Sequence, residues 1–234
     1  MNPLLRFWLL PGCAVLLLAA DPSWKNKPIP SWTAAEARQI LTDSPWAKTA
    51  TAGLARIQSE DQRREGGDMG QPHGVGVDGL IDKNIKQTPI DIMQHGRIQG
   101  PPSVPLRVRW ETALPIQAAE LKAGELDPPT LEGEGYKVAV YGIPTTTVKG
   151  DPKKLGEPLK SLAALKRDGK PDVRPISVEV FQRQDGFVVV YLFPLSAEIG
   201  KKDAIVEFDA QIGRLIIRQP FDVSQMYFQG RLEM

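Results

Sequence analysis

The chain has one cysteine, Cys13, and two histidines, His73 and His95, in 234 residues. A disulfide framework needs paired cysteines, and structural zinc needs several cysteines or histidines at short spacing. Neither pattern is present, and no HExxH, CxxC or paired-histidine spacing occurs, so neither zinc nor any other metal is expected. Charge of one sign is also lacking: 29 Lys plus Arg stand against 28 Asp plus Glu, a formal net charge of +1. That balance gives no basic footprint for a phosphate backbone, so no nucleic-acid partner is expected. The stretch GVGVDG (74–79) departs from GxGxxG and follows no strong strand. The phosphate-binding GxxxxGK[ST] and the GxSxG nucleophile elbow are absent, and Asp78 and Asp82 lack the alternate-ligand spacing of an EF-hand. No cofactor and no catalytic residue is expected.

A long apolar run is missing too. Phe7–Ala20 is shorter than a membrane span requires but has the length of a signal-peptide core; Arg6 precedes it, and small residues lead into Asp21. Residues 1–20 are therefore read as an export signal. The mature chain would be periplasmic or extracellular, without a transmembrane segment, a thiol or a net formal charge. Leu-Pro-Gly-Cys resembles a lipobox, which makes a lipid anchor on Cys13 the alternative. Pro11 is atypical there and the apolar run continues past Cys13, so the preferred reading is a small hydrophobe inside the signal.

Glycine and proline, 21 of each, are plentiful and imply long connections. Residues 21–58 form a first unit. After the proline-broken DPSWKNKPIPS, Thr33 and Glu36 have capping-box spacing, and Ala34, Ala37, Ile40 and Leu41 share one helical face that should end near Asp43. Ser44-Pro45-Trp46 then has the form of a cap restart leading into a turn and a strand. Residues 59–104 read as a Gly-rich insert and an irregular segment, too poor in large apolar groups to offset its ordering entropy.

Residues 105–234 carry the sheet portion of the same domain. Leu106, Val108 and Trp110 alternate with Arg107, Arg109 and Glu111, as in a strand with a solvated face. A helix over 113–123 follows, with Thr112 as cap and Pro115 in its first turn. YKVAVYGIP is a strand, and LGEPLKSLAALKRDG reads as a helix ending at Gly169. Hairpins are expected at Asp185-Gly186 and Ile212-Gly213, and QMYFQGRLEM reads as a last strand. The fold class expected is α+β: a largely antiparallel sheet, two or three short helices and an N-terminal helical clasp.

Candidate binding residues are few. Trp46 and Trp110 offer aromatic faces for a small apolar or carbohydrate ligand, and Glu111 a strand-end carboxylate for ligand contact or hydrolysis. Glu207 and Asp209 share one strand face, which ordinarily means a solvated one. The tryptophans of the first unit read better as packing groups than as bait for a ligand.

SWTAAEARQILTDSPWAK, VRWETALPIQAA and VEFDAQIGRLIIRQPFDVSQMYFQGRLEM resemble a group of uncharacterised exported proteins of acidobacterial type. The resemblance spans most of the chain outside the insert. It implies export and a shared fold, and brings no assigned activity. The function expected is a non-enzymatic, envelope-associated interaction or structural module, whose partner is an envelope protein or a glycan. A small-ligand binding protein and a carboxylate-dependent hydrolase are the alternatives.

Overall fold

Thr33 opens the first helix as its spacing predicts. Its backbone N–H donates to Glu36 Oε2 at 2.9 Å, and the Glu36 N–H donates to Thr33 Oγ1 at 3.2 Å. This reciprocal box starts α1, Ala34–Thr42. Ala37, Ile40 and Leu41 are buried, while Ala34 is exposed and Glu36 takes a buried place instead. Ser44 caps a turn rather than a new helix. Its hydroxyl accepts from the N–H groups of Trp46 and Ala47 at 3.3 and 3.1 Å, sending the chain straight into β1, Ala47–Leu54.

The structure, a computed structural model, describes residues 22–55, 103–125, 128–129, 131–147 and 151–234. Residues 1–20, read from the sequence as an export signal and holding Cys13, lie outside the described residues, as do His73, His95 and nearly all of the 59–104 segment. Among those described, β2 is Val104–Trp110, α2 Leu114–Ala123, β3 Tyr136–Ile143, α3 Gly156–Ser161 and β4 Ala163–Arg167. The hairpin β5 Ser177–Arg183 and β6 Gly186–Phe193 follows, then β7 Ile205–Ile212 with β8 Leu215–Asp222. A small hairpin, β9 Tyr227–Phe228 and β10 Arg231–Leu232, ends the chain. No helix among the described residues is long and apolar enough to cross a membrane.

Eight strands form one antiparallel sheet in the order β4-β7-β8-β1-β2-β3-β6-β5. Its corner is β1. Ala47–Ala52 pair with β2, whereas Gly53 and Leu54 pair with β8. Changing partners along one strand curls the sheet, so its two halves face each other across the core. Trp110 of one half meets Phe221 of the other edge-on at 5.7 Å, and Tyr191 meets Phe208 at 5.3 Å. The protein is thus α+β, mostly sheet, with helices packed on it.

Two segments differ from their sequence patterns. The helix over LGEPLKSLAALKRDG stops at Ser161. Ala163–Arg167 instead pairs residue for residue with β7, and Leu165 also bridges Val173. Ladder bonds on both sides override a modest helical propensity. The terminal QMYFQGRLEM is a two-residue-turn hairpin rather than one strand. Gln229 and Gly230 both take positive φ, 48° and 81°, as that tight turn demands.

The N-terminal clasp is an aromatic cluster. Trp24 lies 6.4 Å from Trp32 and 6.1 Å from Trp46, and both Trp32 and Trp46 pack edge-on against Phe228. Trp46 Nε1 donates to the Glu233 carbonyl at 2.6 Å, tying the clasp to the last residues of the sequence. Lys27, Ser23 and Thr33 all donate to the Glu36 carboxylate. Lys27 first, then Ser23 and Thr33, hold that carboxyl down at about 2.

Candidate functional site

Trp46 and Trp110 do not line a pocket. Each ring is at most 1% exposed and belongs to the main core. The paired-tryptophan binding surface is corrected accordingly, because large rings buried in the core remove more apolar area from water than on a rim. Glu207 and Asp209 form no cleft either; Asp209 pairs with Lys166 and Arg218 across neighbouring strands.

Glu111 has a different setting. The sequence places it with Arg107 and Arg109 on a solvated face, yet Glu111 is 7% exposed and Arg109 1%. The sheet is covered on both faces here. Leu131 packs with Ala139, Tyr141, Val188, Val190 and Leu192 on the side opposite the main core. The polar stripe of β2 is therefore enclosed, and its charges must find partners inside.

Arg109 is held by backbone and side-chain acceptors. Its Nε donates to the Leu41 carbonyl at 2.9 Å, near the C-terminus of α1, where a cation suits the exposed carbonyls. Nη1 and Nη2 donate to the two oxygens of Glu125 at 3.0 and 3.3 Å. Glu125 reaches that position through the end of α2. Gly124 adopts φ 75°, its N–H donates to the Leu121 carbonyl, and the Glu125 N–H returns to the Glu120 carbonyl. This is a Schellman ending, and glycine permits it because the left-handed backbone carries no Cβ penalty. The Arg109 guanidinium also lies over the Tyr141 ring, 4.5 Å from its centroid. Burial works against its charge, but the Glu125 contact prevails and the guanidinium pKa is raised.

Two carboxyl groups meet beside this arginine. Tyr141 Oη donates to Glu111 Oε1 at 2.8 Å. The Glu111 and Glu120 carboxyls line the same pocket and influence each other's ionisation. Burial raises Glu111, against the lowering influence of Glu120, Arg109 and Tyr141. Burial, and then the charge of Glu111, pushes Glu120 up to about 9. Burial, followed by Glu111, likewise raises the Tyr141 hydroxyl, which stays a donor. Glu120, raised to about 9 beside Glu111, therefore keeps its proton at neutral pH. Among the described residues, Glu120 Oε1 is buried without a hydrogen-bond partner; Arg109 Nη1 stands 3.9 Å from it.

The pair floors a pocket of about 410 Å³. Glu111, Glu120 and Glu125 supply its acidic side, and Thr112, Gln117 and Lys137 further polar groups. Leu121, Pro128, Pro129 and Leu131 form an apolar wall. Leu121, at 84%, is the most exposed of the large apolar side chains described. Thr112 is not the cap of α2; its hydroxyl accepts from the Lys137 N–H at 3.2 Å and fixes the pocket's edge to β3. No group of three or more potential metal ligands occurs among the described residues.

Arg109, Glu120, Glu125 and Tyr141 were not singled out by the sequence pattern. A signal for them existed. Both VAVYGI and FVVVYLF are apolar at consecutive positions, the mark of strands buried on both faces. Their neighbour β2 then cannot have a solvated polar stripe. The site defines a domain with an acid-floored, half-apolar pocket. Compared with known proteins, the chain matches no family model, no curated protein and no solved structure.

Proposed function

We propose that the protein is an exported, envelope-associated binding domain that holds a small ligand in the pocket beside α2 without altering it chemically. The observation that carries this reading is the pocket itself. A buried carboxyl pair faces a space of about 410 Å³ whose other wall is apolar, the composition of a small-molecule site. Export rests on the composition of residues 1–20. The non-catalytic part rests on the placement of the carboxyls: a glycosidase keeps its two acids free to flank a bond, whereas Tyr141 donates to one oxygen of Glu111 and Arg109 adjoins Glu120.

A hydrolase is the second reading, favoured by one observation. Two neighbouring carboxyls, one of them protonated, are the working unit of acid proteases, which activate water between them. Here Tyr141 occupies one oxygen of Glu111 and Arg109 adjoins Glu120, a setting that positions the pair rather than freeing it for water.

The test is an amide-resolved NMR titration of the purified protein with small-molecule extract of envelope material. Binding at the pocket shifts the amides of Gln117, Leu121, Leu131 and Lys137. Shifts confined to other surfaces would remove the pocket from the account. Turnover of a peptide or glycoside that Glu111→Gln abolishes would instead establish the hydrolase.

A further inference from the structure

The charges around the pocket do not balance without one more positive charge. Arg109 from β2 and Lys137 from β3 face three acids: Glu111 after β2, Glu120 from α2 and Glu125 beyond it. Tyr141 of β3 adds a neutral donor. Two cations against three carboxylates leave a single negative charge. Arg109 cannot take up the slack. Its Nε is committed to Leu41 and both terminal nitrogens to Glu125, so the 3.9 Å approach to Glu120 Oε1 is an ion pair without a hydrogen bond.

A second feature is independent of the acid count. Glu120 is 5% exposed, lines the pocket, and has one oxygen that accepts no hydrogen bond from any described residue. A buried carboxylate oxygen without a donor is costly, and a ligand N–H supplies what is missing. Beyond the acids, Leu121, Pro128, Pro129 and Leu131 offer apolar contact to whatever that donor is attached to.

We infer that the ligand carries a primary ammonium group on a short apolar chain, and that the ammonium seats between the Glu111 and Glu120 carboxyls, against the donor-less oxygen of Glu120. This rests on the binding reading of the same pocket and names its ligand class. The exchange of proton for ammonium balances: Glu120 releases its proton to solvent, both carboxyls are then anionic, and the incoming cation restores neutrality. An ammonium offers three donors, enough to engage Glu111, the vacant oxygen of Glu120 and one further acceptor. A neutral alcohol displaces no proton, and a carboxylate ligand meets like charge.

The probe is n-hexylammonium, with n-hexanol as neutral isostere and hexanoate as anion, each titrated into the full-length protein by amide NMR between pH 6 and pH 8. The expected result is hexylammonium binding that shifts Gln117, Leu121 and Leu131, with Kd falling about tenfold per pH unit because one proton leaves. Glu120→Gln removes one acid and with it the charge deficit. This variant keeps the native amide spectrum and loses both the pH slope and at least about tenfold of the affinity. If hexanol binds at these residues as tightly as hexylammonium, or the Kd does not change with pH, the ammonium inference is overturned while the pocket reading stands. If none of the three probes shifts the pocket amides, both are overturned.

Discussion

Glu36 and Glu120 are nearly equally buried, 8% and 5% exposed, and each lies on a helix, α1 or α2. Their surroundings are opposite. Glu36 accepts from Ser23, Lys27 and two groups of Thr33, and its carboxyl sits at about 2. Glu120 meets a second carboxyl, leaves one oxygen without a donor, and sits at about 9. Burial by itself therefore does not mark a site. A buried polar group whose partners are complete fastens the fold, and one whose partners are incomplete marks a place where something else fits.

The contrast is broken most severely by Trp46→Ala. The ring fills the junction of the clasp, β1 and the C-terminal hairpin, and its removal should cost about 3–5 kcal/mol at any pH, read from denaturant unfolding. Arg109→Leu comes next. It strips Glu125 and the Leu41 carbonyl of their donor and leaves the carboxyl pair without its nearby cation, a loss of roughly 3 kcal/mol at pH 7.

The third prediction has the opposite sign. A carboxyl raised to about 9 favours the folded state below its unfolded value near 4.5, and that contribution is lost as pH rises towards 9. Glu120→Gln is neutral at every pH. It should unfold at similar denaturant to the parent at pH 5 and be more stable by roughly 2 kcal/mol at pH 8, a figure reduced for the pocket's contact with solvent. Glu36 runs the other way: its contribution is present above about 4.5 and disappears as pH falls towards 2. Glu36→Gln should accordingly flatten the acid limb of the stability profile and leave the alkaline limb intact. The smallest effect is Thr33→Ala, which removes one half of the capping box for about 1 kcal/mol and should not touch the pocket.

The same contrast separates what the sequence makes legible from what it does not. Local chemistry is legible. The Thr33–Glu36 box and the two long hairpins are each set by a few neighbouring residues; the box appears where expected, and the hairpin turns fall one residue from the expected dipeptides, at Gln184-Asp185 and Gly213-Arg214. Segment 163–167 is not, because its helical and extended forms differ little locally and the pairing with β7 decides between them from far along the chain. The site is hidden for a related reason. Period-two alternation in LRVRWE reveals that Arg109 and Glu111 share a face, not whether that face meets water. Only the cover contributed by α2 and Leu131, brought there by the tertiary fold, turns a polar stripe into a buried acid pair. Glu111 was visible as a candidate; Glu120 was not singled out.

The most direct measurement is a carbon-13 NMR titration of the glutamate side-chain carboxyls from pH 3 to pH 10. The account predicts one carboxyl that titrates near 9 and disappears from the titration set in Glu120→Gln, with a second, Glu36, still ionised near pH 3. If every carboxyl instead titrates between about 3.5 and 5.5, the ordinary range for glutamate, Glu120 holds no proton at neutral pH and the account of the pocket is wrong.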